Sequence, residues 1–176
     1  LINSTGSGAD GIQIHNGSPT TGRIESCAVT AGGGRGIYIE GGAGVAIVDN
    51  AITNMFGEGI QLDGCDGCLL KENTVTQAGG QGGIYLSFAQ GTTLTRNVVV
   101  SNKLHGIHIG SGSRDAFVEG NVMRNNGSPA TPGDGLLVAG VGGTIVGNTM
   151  NGNLGIGLHF AATSAYAGSA GTAGEL

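Results

Sequence analysis

Two histidines three residues apart, His105 and His108, follow Tyr85 by one period of a sequence repeat, and Arg114 comes six residues after them. An imidazole can take up a proton at neutral pH, a phenol can return one, and a guanidinium can neutralise a carboxylate. Those are the roles needed to remove a proton α to a carboxylate, the first step in eliminating or epimerising a uronic acid residue. The expected assignment is His108 or His105 as base, Tyr85 as proton donor and Arg114 or a Ca²⁺ ion as the neutralising group. A glycoside hydrolase would instead need two carboxylates at a suitable separation, and no such pairing recurs here.

The elements that must hold these residues are set by a repeat. The phrase Gly-Ile-x-Ile/Leu, written GIxL below, opens at Gly11, Gly36, Gly59, Gly83, Gly106, Gly135 and Gly157, with spacings of 25, 23, 24, 23, 29 and 22 residues. An Asn-centred phrase lies between the copies and places Asn50, Asn73, Asn97, Asn121 and Asn148 at intervals of 23, 24, 24 and 27, with Cys27 at the equivalent earlier position. A period in this range defines a solenoid. Alternation over four positions followed by turn residues gives strands rather than helices. Each period therefore holds three short strands: the GIxL strand, one leading into the Asn and one leaving it. Inward Ile, Leu and Val should stack in columns about 4.8 Å apart per rung. The glycine opening each GIxL strand suits a sharp corner or a positive φ, and the Asn series suits a ladder of stacked amides. The expected fold is all-β, a single-stranded parallel β-helix of about seven rungs over residues 1–161, followed by a small-residue tail at 162–176. The chain reads as part of a longer protein.

Function then falls to the outward positions, because the inward ones are spent on the core. Those on the GIxL strands run Asp10, Gln13, His15; Arg35, Tyr38, Glu40; Glu58, Gln61, Asp63; Tyr85, Ser87; His105, His108; Asp134, Leu137. The strand leaving the Asn carries small, nearly uncharged outward residues in its first four copies: Ala28 and Thr30, Ala51 and Thr53, Thr74 and Thr76, Val98 and Val100. A long face of amides, aromatics and carboxylates suits a sugar polymer. Tyr38, Gln61, Arg35 and Gln13 are the expected substrate-binding residues. Glu40, Glu58 and Asp63, on adjacent rungs about 5 Å apart, could share a Ca²⁺ ion. The insertion Ser128–Asp134 should wall the groove beside His105 and His108.

Composition narrows the partners. The net charge of −5 and the absence of a basic run argue against nucleic acid. No stretch approaches 18 apolar residues, so no membrane span is expected. Of the three cysteines, Cys27 is expected as a buried free thiol, and Cys65 and Cys68 as surface or local-turn residues in a CDGC turn.

On its GIxL and Asn-centred phrases the sequence resembles the right-handed parallel β-helix superfamily over residues 10–160. That superfamily includes pectate lyases, alginate lyases, mannuronan C5-epimerases and phage tailspikes, and the short repeats resemble its NosD-like and sugar-hydrolase group. The resemblance implies a secreted or cell-surface protein acting on an acidic polysaccharide as a lyase or epimerase. The Gly-His-Gly phrase of polygalacturonase-like hydrolases and the Asp-Pro-His phrase of mannuronan epimerases are absent. The alternative from the same resemblance is a structural shaft, in a tail fibre or adhesin, that could assemble as a homotrimer.

Overall fold

Apolar residues alternate with polar ones for only three to six positions before a turn, so no strand is long enough to form a sheet with its sequence neighbours. Each pairs instead with its equivalent one period away. The computed structural model describes residues 2–3, 8–15 and 21–161; the expected tail at 162–176 lies outside them. Three parallel sheets result. The GIxL sheet stacks Ile12–His15, Ile37–Glu40, Ile60–Asp63, Gly82–Ser87, His105–Ile109, Leu136–Val138 and Leu158–Phe160 in chain order. A second sheet holds the six strands that lead into the Asn, from Arg23–Glu25 to Val141–Val146. The third holds the strands that leave it, from Ala28–Thr30 to Thr149–Asn151, with Ile2–Asn3 at its edge. This is the expected parallel β-helix, with six complete three-strand turns among the described residues and a seventh GIxL strand opening the next.

The core is a set of columns. Ile37, Ile60, Ile84, Ile107 and Leu136 stack in register, beside Ile39, Leu62, Leu86, Ile109 and Val138, all essentially without solvent exposure. Fully burying one such side chain contributes about 1.5–3 kcal/mol. At the corner into each third strand one residue adopts a left-handed backbone: Ser26, Asp49, Glu72, Arg96, Gly120 and Gly147, with φ of 53° to 61°. The Asn that follows satisfies the amide groups freed by that bend. Asn50 Nδ2 donates to Asn73 Oδ1 at 2.9 Å, and the chain continues through Asn97 and Asn121 to Asn148 at 2.9–3.0 Å. Cys27, a partly buried free thiol, heads this ladder through its backbone N–H to Asn50 Oδ1.

Two expectations are corrected and one feature is added. The GIxL glycines Gly36, Gly59 and Gly83 are not among the positive-φ residues. They are required because their α-hydrogen points into the core: a Cβ on Gly59 would lie 2.1 Å from Val75 Cγ1 and 2.7 Å from the Gly83 carbonyl oxygen. The backbone carbonyl cannot step aside, so Gly59→Ala is expected to cost about 2–3 kcal/mol by overpacking. Gly22→Ala, where a Cβ meets nothing within 4 Å, is the control; equal urea midpoints for the two would remove the steric explanation. Cys65 and Cys68 are not at the surface: they are buried and joined by a disulfide. Finally, a second amide ladder runs from Asn102 through Asn126 to Asn153 at 3.0 and 2.9 Å. It begins only where Asn replaces Ala78 in the column, so its short run gives little periodic signal.

Candidate functional site

The parallel register turns the free position of each GIxL strand into one outward column: Gln13, Tyr38, Gln61, Tyr85, His108, Leu137, His159. His15, Glu40, Asp63 and Ser87 form a column beside it. A third, at the strand entrance, contains Asp10, Arg35, Glu58, Gly82, His105 and Asp134. Long side chains in such columns can reach diagonally across rungs, and that reach divides the face into two groups.

In the first, Arg35 clasps three rungs. Its guanidinium binds Asp10 through Nε (3.1 Å) and Nη2 (2.8 Å), reaches Gln61 Oε1 at 3.3 Å and covers the Tyr38 ring at 3.4 Å from the centroid. Burial works to lower the Arg35 pKa, but the hydrogen bonds and charge of Asp10 raise it above its usual value. Burial likewise raises that of Tyr38. Three of the four expected substrate-binding residues are thus brought together, already engaged with one another, and Tyr38 is only 7% exposed. Gln13 lies one rung earlier in the same column.

The three carboxylates expected to hold Ca²⁺ do not converge. Glu40 and Asp63 are register neighbours, and Glu40 meets His15 Nδ1. Glu58 stands at the opposite end of its strand and accepts the Gln81 backbone N–H at 3.0 Å. Among the described residues no group of three or more His, Cys, Asp or Glu side chains is placed to hold a metal ion.

The second group is built on consecutive rungs around His108. The Tyr85 and His108 rings lie 4.9 Å apart, and His105 meets His108 edge-on at 5.4 Å. Tyr85 lies across Gly110, where a Cβ would sit 2.8 Å from the ring. His105 Nδ1 accepts the Asp134 backbone N–H at 3.0 Å, so the neutral ring carries its hydrogen on Nε2. The Asp134 carboxylate, itself 7% exposed, contacts His159 Nδ1 at 2.8 Å and accepts the Ile156 N–H at 2.7 Å. Asp134 and His159 belong to this group, and sequence reasoning did not select them. Their register with His105 and His108 was the available signal. Arg114 is not part of it: it lies exposed on Arg114–Glu119 of the second sheet, with no contact to these rings among the described residues. The Ser128–Asp134 insertion folds over the entrance to the His105 strand, as expected. Thr131 Oγ1 donates to the Lys103 carbonyl at 3.3 Å, and Gly133 sits where any Cβ would strike the Leu104 carbonyl.

Burial pushes the His108 pKa down to about 4, with His105 adding to the effect and Asp134 opposing it. His105 is lowered for the same first reason. His108 Nδ1 is buried with no hydrogen-bond partner, so it is closed to a ligand. Both histidines are therefore neutral at pH 7. In the unfolded chain His108 titrates near 6.5, so the unfolded state binds the extra proton first as pH falls. Stability is then full above pH 6.5 and declines between about 6.5 and 4. Urea midpoints measured across that window should fall for the wild type and fall less steeply for His108→Gln, in which buried His105 still contributes; an unchanged slope would contradict the buried neutral ring.

A model of the right-handed β-helix region matches residues 2–123, and the chain belongs to that family. Its fold is similar to that of a mutant of the periplasmic alginate epimerase AlgG, with a TM-score of 0.66 and 21% identity over 90% of this chain. A double mutant of AlgG also matches, at a TM-score of 0.39 and 16% identity, over 84% of this chain and 51% of that one. The chain spans 42% of the length of the first of these. Comparison with curated proteins gives no match.

Proposed function

We propose that this protein binds an acidic polysaccharide along its GIxL face and removes the proton α to a uronate carboxylate, as a lyase or C5-epimerase does. The observation that carries the reading is the Tyr85–His108–His105 group, in which burial keeps His108 neutral beside a phenol 4.9 Å away. His108 Nε2 takes the C5 proton, and the C–H electrons move onto the carboxylate as an enediolate. The Nε2–H of His105, fixed by Asp134, stabilises that charge in place of Arg114, which lies on another sheet. The enediolate then collapses in one of two ways. Either the C4–O bond breaks, with the Tyr85 proton going to the leaving oxygen, or a proton returns to C5 from the other side. Tyr85 and His108 stand side by side on one face, an arrangement that favours elimination.

One comparison and one structural feature support the class. AlgG, whose fold this chain shares, is an alginate epimerase and periplasmic. The Cys65–Cys68 disulfide suits an extracellular or periplasmic location. The test is incubation with alginate and with polygalacturonate in D₂O. Exchange at C5 or absorbance from unsaturated chain ends is the expected result; neither, on either polymer, would overturn the reading.

A further inference from the structure

A groove of about 370 Å³ follows the corner between the third sheet and the GIxL sheet, on the entrance side of the strands. Backbone hydrogen bonds stack its rungs: Phe56 on Gly32, Gly79 on Met55 and Lys103 on Ala78. Phe56 and Lys103 therefore stand two rungs apart, about 10 Å along the axis. Gly32 and Gly33 line the groove, so part of its floor is bare backbone. Met55, 2% exposed, closes the bottom.

The rim is chemically uneven. Phe56 is 75% exposed, the most of any large apolar residue among those described. Lys103 is exposed and has no ion-pair partner among the described residues, on a protein of net charge −5. Asn54 and Gln77 stand in successive rungs of the next column. Both hold left-handed backbone, φ 57°, as do Ala31, Ser101 and Asn125 at the equivalent position of other rungs.

A flat apolar ring, a lone cation and two carboxamides over a floor partly of bare backbone match one class of ligand. The ring covers the C–H face of a pyranose, the amides bond hydroxyls and the ammonium meets a carboxylate. We infer that this corner groove is a binding subsite for an anionic oligosaccharide. It runs along the solenoid axis and ends at Lys103, where the Ser128–Thr131 turn closes over it two residues before His105. A bound chain is thereby led towards the His108 group. The inference extends the polysaccharide reading above, but concerns binding and not chemistry.

Calorimetric titration with alginate oligosaccharides tests it on three variants of exposed residues: Phe56→Ala, Lys103→Gln and Gln77→Gly. Gln77→Gly removes the amide while relieving the left-handed backbone, so weaker binding cannot be attributed to unfolding. Each is expected to weaken binding about tenfold, and Lys103→Gln should also remove most of the salt dependence. Phe117→Ala, an exposed residue of the second sheet away from both the groove and the GIxL face, should bind like the wild type. Wild-type affinity in all three variants would overturn the subsite. Equal competition by poly-glutamate would overturn the saccharide assignment, leaving a general anion patch. Loss of binding in the variants without C5 exchange in the wild type would sink the catalytic reading and leave the groove standing. Exchange with unchanged binding in the variants would do the reverse.

Discussion

Asn97→Leu is expected to lower the unfolding free energy by about 3–5 kcal/mol, the largest stability loss from any single polar substitution in the chain. Asn97 has no solvent exposure, and its amide closes four hydrogen bonds at the centre of the ladder. Oδ1 accepts from Asn73 N and Asn73 Nδ2, both at 3.0 Å; Nδ2 donates to Leu70 O and Asn121 Oδ1, both at 2.9 Å. Leucine fills a similar volume and satisfies none of them. Asn73 Nδ2 keeps Ile47 O and Asn121 Oδ1 keeps the Asn97 backbone N–H, which is why the cost is not four full penalties. The Asn73 backbone N–H is left buried with no partner. Because a solenoid is stabilised by nearest-neighbour contacts, a break at the middle rung should also split urea unfolding into two transitions. Asn148→Leu, at the 7% exposed end of the same ladder, should cost about half as much and keep one transition. A loss below about 1 kcal/mol for Asn97→Leu, the range of an ordinary surface change, would show that the ladder does not hold the rungs together.

His108→Gln should reduce turnover of a uronate polymer by about 10²–10⁴-fold, the usual worth of a positioned proton acceptor. Glutamine is the informative choice because it keeps an N–H donor near the place of Nε2 and cannot take up a proton. Asp134→Asn should give a smaller loss, because its carboxylate acts through His105, at 3.5 Å, and His159, at 2.8 Å, and touches no substrate, while the backbone N–H that His105 accepts is kept. Its signature would be a shifted pH profile with KM little changed. Wild-type turnover in His108→Gln would show that His108 serves as a hydrogen-bond donor, and the base would have to be sought elsewhere. Circular dichroism of each variant separates these outcomes from unfolding; His108 is half-buried on the outer face, so the core columns are untouched.

Much of the candidate site was readable as an address and little of it as a chemical state. The repeat placed Tyr85 beside His108, because in-register parallel strands bring equivalent positions together wherever the period holds. It did not reveal that Arg35 spends its charge on Asp10, or that Glu58 caps a backbone N–H. Arg114 was misplaced because the turn after the His105 strand is short and its residue begins the next strand, on another sheet. Asp134 was legible as an outward residue one rung after His105, but only the folded structure shows that its carboxylate stands beside the His105 ring.

By itself, then, the sequence determined the solenoid, its inward columns, the five-membered Asn ladder and the set of residues free to face outward. These follow from a side-chain period of two and a repeat near 24 residues, both local properties of the chain. Only the tertiary structure decided which outward groups neutralise one another, that His108 is held neutral, that Cys65 and Cys68 are joined, and that Phe56 and Lys103 share a groove. Those outcomes depend on how far a side chain reaches across neighbouring rungs and how much water the fold leaves around it, and neither is written in the spacing of the repeat.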